Sequence, residues 1–179
     1  MGMKKFTPEQ LASDEYKAQL LELRAKATVK WGADGALHAE MVKAYIDETG
    51  AETVLDYGCG EGMLGKALNG LITHEYDPGI PGKQGLPEPV DLVVSTDVIE
   101  HIEPALIDSV LEHMYQTAKV AGLFIISTRL AVAILPDGRN AHLIVEKPEW
   151  WEKKLVALGW KVERKKIKPY DDVTFWLRK

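Results

Sequence analysis

The run Thr53-Val54-Leu55-Asp56-Tyr57-Gly58-Cys59-Gly60-Glu61-Gly62 limits what this chain can become more than any other stretch. Its β-branched, apolar beginning reads as a short strand. The strand enters a turn with glycine at alternate positions, Gly58, Gly60 and Gly62. There the backbone can bend sharply, and no Cβ separates it from a ligand lying across the strand end. A helical pattern, Met63 to Leu68, follows at once. Strand, glycine turn and helix in that order describe a site for a nucleotide-like ligand.

Charge narrows the ligand. Gly60-Glu61-Gly62-Met63-Leu64-Gly65 has the spacing of a dinucleotide fingerprint, which by itself is a weak signal. Asp56 stands two residues before Gly58, Glu61 lies inside the turn, and no Lys or Arg occurs between Lys43 and Lys66. Carboxylates facing a pyrophosphate would repel it. S-Adenosylmethionine has no phosphate and carries a sulfonium and an ammonium against one carboxylate, so an acidic glycine turn suits it. An NAD-dependent oxidoreductase is the rival that the fingerprint leaves open.

From residue 53 onward strands and helices alternate, the pattern of a three-layer α/β fold whose ligands lie at the carboxyl ends of a mostly parallel sheet. Ile72 to Tyr76 reads as the second strand, followed by Asp77-Pro78-Gly79. Asp77, with Glu75 behind it, is positioned to accept hydrogen bonds from ribose hydroxyls. Residues 78–89 hold no strand-like run, so the region of a third strand is trimmed, and the residue meeting the adenine is left open. Asp91 to Ser95 is a nearly continuous apolar strand that delivers Thr96-Asp97-Val98-Ile99-Glu100-His101 to the edge carrying the glycine turn. Pro104 opens a helix with Leu106, Ile107, Val110, Leu111 and Met114 on one face, and Leu123 to Ser127 is the next strand. The loop from Thr128 to Pro148, with Arg129, Arg139, Asn140 and His142, has a length that marks functional loops. Pro148 to Leu158 reads as a helix in which Trp150 and Trp151 pack, and Trp160 to Ile167 with Val173 to Leu177 as a closing antiparallel pair.

Residues 1–50 read as N-terminal helices that pack on the sheet and cover the ligand mouth. Thr7-Pro8-Glu9-Gln10 is a capped start, and a stronger helix carries Tyr16, Leu20, Leu23 and Ala27. Trp31-Gly32-Ala33-Asp34-Gly35 breaks the pattern, and Leu37, Met41, Ala44, Tyr45 and Glu48 then mark a further helix ending at Gly50. The chain, 1–179, reads as a single domain with its α/β core at 51–179.

Val54 to Gly62 resembles the first motif of class I S-adenosylmethionine-dependent methyltransferases, a hydrophobic strand ending in Asp-x-Gly-x-Gly-x-Gly. Asp97-Val98-Ile99-Glu100-His101 resembles the segment after that family's fourth strand, where a run ending in Glu-His is frequent. The resemblance implies a Rossmann-like fold and a cofactor held by Asp56, Tyr57, Gly58, Cys59, Gly60 and Gly62, by Asp77 and Pro78, and by Ser95, Thr96 and Asp97 at the methionyl end. Two branches, the ubiquinone-pathway O-methyltransferases and the small-RNA 3′-terminal 2′-O-methyltransferases, associate an acidic residue, Glu-His and a later His with a divalent metal. Here Asp97, Glu100, His101 and His142 take those positions, Asp97 with a shorter reach than Glu. Such a donor set suits Mn, Fe or Zn, or Mg with more water. The same residues also read as a structural cap (Glu100, His101) or as a metal-free general base (His101 or His142). Cys59, between glycines, reads as a small filler.

The implied activity is methyl transfer from S-adenosylmethionine to a small-molecule or sugar-like acceptor at a hydroxyl oxygen. An RNA 2′-O-methyltransferase and a cofactor-binding protein without catalysis are the alternatives. The net charge of -5 argues against nucleic acid, although basic residues gather from Lys153 to Lys168. A lone cysteine, no membrane-length apolar run and no signal-peptide core lead to the expectation of a cytoplasmic protein.

Overall fold

The computed structural model describes residues 4–26 and 33–179. The strands are β1 (Val54–Tyr57), β2 (His74–Tyr76), β3 (Val90–Thr96), β4 (Ala118–Ser127), β5 (Lys161–Lys168) and β6 (Asp172–Arg178). The helices are α1 (Asp14–Lys26), α2 (Ala39–Thr49), α3 (Met63–Ala67), α4 (Ile107–Thr117) and α5 (Pro148–Ala157), with short 3₁₀ turns at Pro8–Gln10, Ala33–His38 and Ile99–His101. The strands form one sheet in the order β2-β1-β3-β4-β6-β5. β1, β2, β3 and β4 run parallel, and β6 is antiparallel to both its neighbours. The chain passes from β2 to β3 without a helix or strand between them, so β2 is the sheet edge where a third strand had been expected to be trimmed.

Strand alternation divides the core into two layers. Val54, Leu92, Val94 and Leu123 face one way and pack with Val42, Tyr45 and Ile46 of α2 and with Leu64 of α3. Leu55, Tyr57, Val93, Phe124 and Ile126 face the other, against Val110, Leu111 and Met114 of α4 and Trp151 and Leu155 of α5. β1 and the middle of β3 are buried on both faces, which is why, apart from Asp56 at the end of β1, their sequences read as apolar runs. β5 is the opposite case. It is an edge strand exposed over nearly its whole length and studded with lysine, a composition that discourages pairing with another chain.

Several boundaries and faces differ from the sequence reading. β2 begins at His74 rather than Ile72, and α4 begins at Ile107, after Pro104 has served only in a turn. β4 extends back to Ala118, because α4 runs into it without a loop. α2 buries Val42, Tyr45 and Ile46, leaving Leu37, Ala44 and Glu48 exposed. Leu37 belongs to the preceding 3₁₀ turn, whose three residues per turn shift the phase of the apolar pattern. Gly50 ends α2 in the left-handed conformation, φ 64°, with its N–H donated to Ile46 O.

α1 does not lie on the sheet. Its Tyr16 and Leu20 pack with Leu135 and Ala141 of the loop after β4. Ser13 caps it by accepting the Tyr16 N–H at 3.1 Å, and both the N–H and the hydroxyl of Ser13 donate to Glu103. Ala27 and Trp31-Gly32, expected to continue and then break this helix, lie outside the described residues. Among the described residues no helix is long and apolar enough to cross a membrane.

Candidate functional site

β1 delivers the glycine turn to the carboxyl edge of the sheet, and Gly58, Gly60 and Gly62 all take positive φ, at 82°, 52° and 75°. Close neighbours explain two of them. A Cβ on Gly58 would stand 2.9 Å from Val98 Cβ and nearer still to both Val98 methyls, while one on Gly62 would meet Glu75 Oε1 and stand 3.0 Å from Lys83 Nζ. The turn is thus overlaid by Val98, just past β3, and by a Glu75–Lys83 ion pair at 2.8 Å.

Asp77 anchors the turn from β2. One carboxylate oxygen accepts the Gly60 N–H at 3.0 Å and the other the Gly79 N–H at 2.8 Å, and Arg24 of α1 donates to Gly79 O at 2.7 Å beside them. Pro78, next to Asp77, is half-buried. Asp56 is buried at the end of β1, and burial, with the negative charge of Glu75 next in importance, pushes its carboxyl up to about 7. Burial likewise pushes the Cys59 thiol up to about 12, which leaves it unreactive.

The absence of basic residues near the turn in sequence is overturned in space. Lys83 donates to Gly60 O at 3.2 Å, and Arg24 lies 3.5 Å from Asp77, so two cations meet the carboxylates. Neither had been singled out, because each reaches the turn only through folding. Tyr57, expected at the cofactor, turns its side chain into the core instead, where its hydroxyl pairs with His113 Nδ1 at 2.9 Å. Strand alternation carries the signal for this, since Tyr57 shares the face of buried Leu55.

β3 brings the second group to the same edge. Ser95 is fully buried and its hydroxyl has no hydrogen-bond partner among the described residues, half-buried Thr96 follows, and Asp97 has a left-handed φ of 53°, a strained setting for a residue other than glycine. Asp97 Oδ2 lies 3.3 Å from His38 Nε2, a partner the sequence did not point to.

Glu100, His101 and His142 each offer a donor atom, and these lie within 4.8 Å of one another. Asp97 is not in this group: the expected four-residue set is three, because the left-handed turn at Asp97 directs it to His38. Both imidazoles are oriented by backbone carbonyls, His101 Nδ1 on Ala141 O at 2.8 Å and His142 Nδ1 on Arg129 O at 2.6 Å. Those bonds fix the orientation of both rings, each with one donor atom in the group. Burial lowers the His101 pKa to about 4 and also lowers that of His142, so both rings are neutral near pH 7. Glu100 is wholly buried; Oε1 accepts the Ser127 N–H at 2.9 Å, Oε2 has no partner among the described residues, and burial pushes the carboxyl up to about 8. A buried orphan acceptor beside two oriented imidazoles is a donor set that a divalent cation fits.

α1 closes over this group, with Tyr16 Oη donating to His101 O at 2.6 Å. Tyr16→Phe is expected to cost about 1 kcal/mol of stability, read from urea denaturation.

No protein-family model matches the chain, and no curated protein matches it. Solved structures do. The 1,6-didemethyltoxoflavin-N1-methyltransferase of Burkholderia thailandensis, with S-adenosylhomocysteine bound, superimposes with a TM-score of 0.64 at 17% identity, covering 100% of this chain and 93% of that one. The N-methyltransferase NodS of Bradyrhizobium japonicum gives 0.62 at 14% identity, with coverage of 91% and 97%. The magnesium protoporphyrin IX methyltransferase of Synechocystis, with S-adenosylmethionine bound, gives 0.58 at 16% identity, with coverage of 98% and 99%. At such identities the likeness is one of architecture, and this chain has the Rossmann-like fold of class I S-adenosylmethionine-dependent methyltransferases.

Proposed function

We propose that this protein transfers a methyl group from S-adenosylmethionine to a hydroxyl oxygen of a small-molecule acceptor. The observation that carries the reading is the meeting, at one sheet edge, of a glycine turn backed by Asp56 and Asp77 with the Glu100, His101 and His142 group. The fold adds support, because the structures it resembles hold S-adenosylmethionine or its demethylated product. Asp56, Gly58, Gly60, Gly62 and Asp77 would hold the adenosyl end, with Ser95 to Asp97 at the methionyl end. A dinucleotide is disfavoured on new grounds: the Gly60 N–H, a natural phosphate donor, is already bonded to the Asp77 carboxylate.

When bound, the cofactor supplies a methyl group activated by its sulfonium. The protein's task is to align the acceptor oxygen for in-line displacement and to weaken the hold on its proton. A neutral imidazole, His101 or His142, can accept that proton directly. A divalent cation held by Glu100, His101 and His142 would instead lower the pKa of the hydroxyl, and it would keep Glu100 ionised.

RNA as acceptor has less support. The basic stretch of β5 is largely consumed by ion pairs, Arg164 with Glu48, Lys165 with Glu152 and Lys168 with Asp171. Binding of RNA that weakens steeply with salt would restore that alternative.

Calorimetry with S-adenosylmethionine and S-adenosylhomocysteine tests the cofactor; binding of neither would sink the proposal. Methyl transfer from labelled cofactor separates an enzyme from a protein that only binds it. For the metal, His142→Ala is expected to lower bound metal by about tenfold or more in elemental analysis, while Asp97→Ala retains it. Equal loss in both would return Asp97 to the ligand set.

A further inference from the structure

A cavity of about 380 Å³ opens between α2 and the β5–β6 hairpin. Its floor is Ile125, which sits in register with Thr96 and accepts the Asp97 N–H at 3.0 Å, so the cavity begins directly beside the proposed methionyl end of the cofactor. Half-buried His38 lines the cavity and is hydrogen-bonded to the Asp97 carboxylate, which links the two. Met41 of α2 and Pro169, just after β5, continue an apolar lining.

The far rim is basic. Lys166 and Lys168 lie on it with Asp172. Lys168 is spent on Asp171 and Asp172. Lys166 differs from its neighbours Arg164, Lys165 and Lys168: it has no carboxylate partner among the described residues. An unpaired ammonium at the rim of an apolar cavity is the arrangement that holds a small organic anion, with the body of the molecule in the cavity and its charge at the mouth. The volume suits a molecule of one aromatic ring and a short substituent.

We propose that this cavity is the specificity subsite for the methyl acceptor and that it selects small hydroxy acids, their apolar body on Ile125, Met41 and Pro169 and their carboxylate at Lys166. This rests on the methyl-transfer reading above and adds the acceptor's chemical class to it.

The probes are 3-hydroxybenzoate and its neutral counterpart 3-hydroxybenzamide, followed by amide chemical shifts of the whole protein. The acid is expected to shift Ile125, Ile167 and Thr174, and to bind about threefold more tightly than the amide, the increment of one partly exposed charge pair. Lys166→Gln should erase that preference. Met41→Trp, a change at a half-buried position that lines the cavity, should fill it and abolish binding of both probes, while calorimetry shows S-adenosylhomocysteine bound as before. Equal affinities for acid and amide, a preference that survives Lys166→Gln, or shifts that map away from the cavity would each overturn the subsite. Failure of the wild-type protein to bind S-adenosylhomocysteine would overturn the methyl-transfer reading and with it the subsite's role, whatever the cavity binds.

Discussion

Gly58→Ala is expected to abolish binding of S-adenosylhomocysteine and to destabilise the protein by roughly 2–4 kcal/mol, read from calorimetry and from urea denaturation. Two costs combine. The residue keeps a φ of 82°, which an L side chain resists, and its new Cβ would lie 2.9 Å from Val98 Cβ, with both methyls closer. Glu75 beside Gly62 could swing aside, but Val98 is branched at the atom in contact and follows directly on the strained Asp97, so relief must move backbone. A double variant separates the two costs. Gly58→Ala with Val98→Ala should recover about half of the lost stability, since the methyls are gone and the backbone strain remains. Full recovery would show that the left-handed turn costs little; no recovery would show that Val98 is not the obstacle.

Asp56→Asn is expected to raise the stability of the cofactor-free protein at pH 8 by on the order of 1–3 kcal/mol, roughly 5 °C in Tm, and to flatten its pH dependence. The sign follows from a carboxyl raised to about 7 in the fold against 3.8 when free. Below pH 3.8 the group is protonated in both states and imposes no penalty. As pH rises toward 7 the unfolded chain gains by releasing the proton and the folded chain does not, so stability falls across that window. Burial is the main cause; Glu75 and Asp77 add to it and Lys83 opposes it. A cationic cofactor reverses the preference. The wild-type protein should therefore bind S-adenosylmethionine more tightly as pH passes through 7, and Asp56→Asn should lack that dependence. An Asn variant with the wild-type pH profile in both measurements would remove Asp56 from the site.

These two residues also show how much the sequence disclosed. The glycine turn, β1, β3 and the closing pair of strands were legible because each is specified by its own residues: alternate glycines, apolar runs buried on both faces, and a turn between alternating segments. The trimmed third strand was legible from the composition of residues 78–89. The face of α2 was not, because a 3₁₀ turn ahead of it altered the period. Nor was the place of α1, which packs on the loop after β4 for reasons that lie in Leu135 and Ala141, far along the chain.

Partnerships divide in the same way. Glu100 and His101 could be recognised as a local motif, but the orientation of His101 depends on Ala141, and that of His142 on Arg129. Local sequence placed Asp97 with them by helical spacing; a single left-handed residue sent it to His38 instead. The sequence alone therefore determined the fold class, the glycine turn and the residues eligible for chemistry, since these depend on spacing within a few residues. Only the tertiary structure decided which charges meet: Lys83 and Arg24 at the turn, His38 at Asp97, and, over an apolar cavity, a Lys166 with no carboxylate partner among the described residues. The physical reason is range, because backbone conformation is set largely by neighbours, whereas electrostatic partners are chosen by a packed sheet that joins residues remote in sequence.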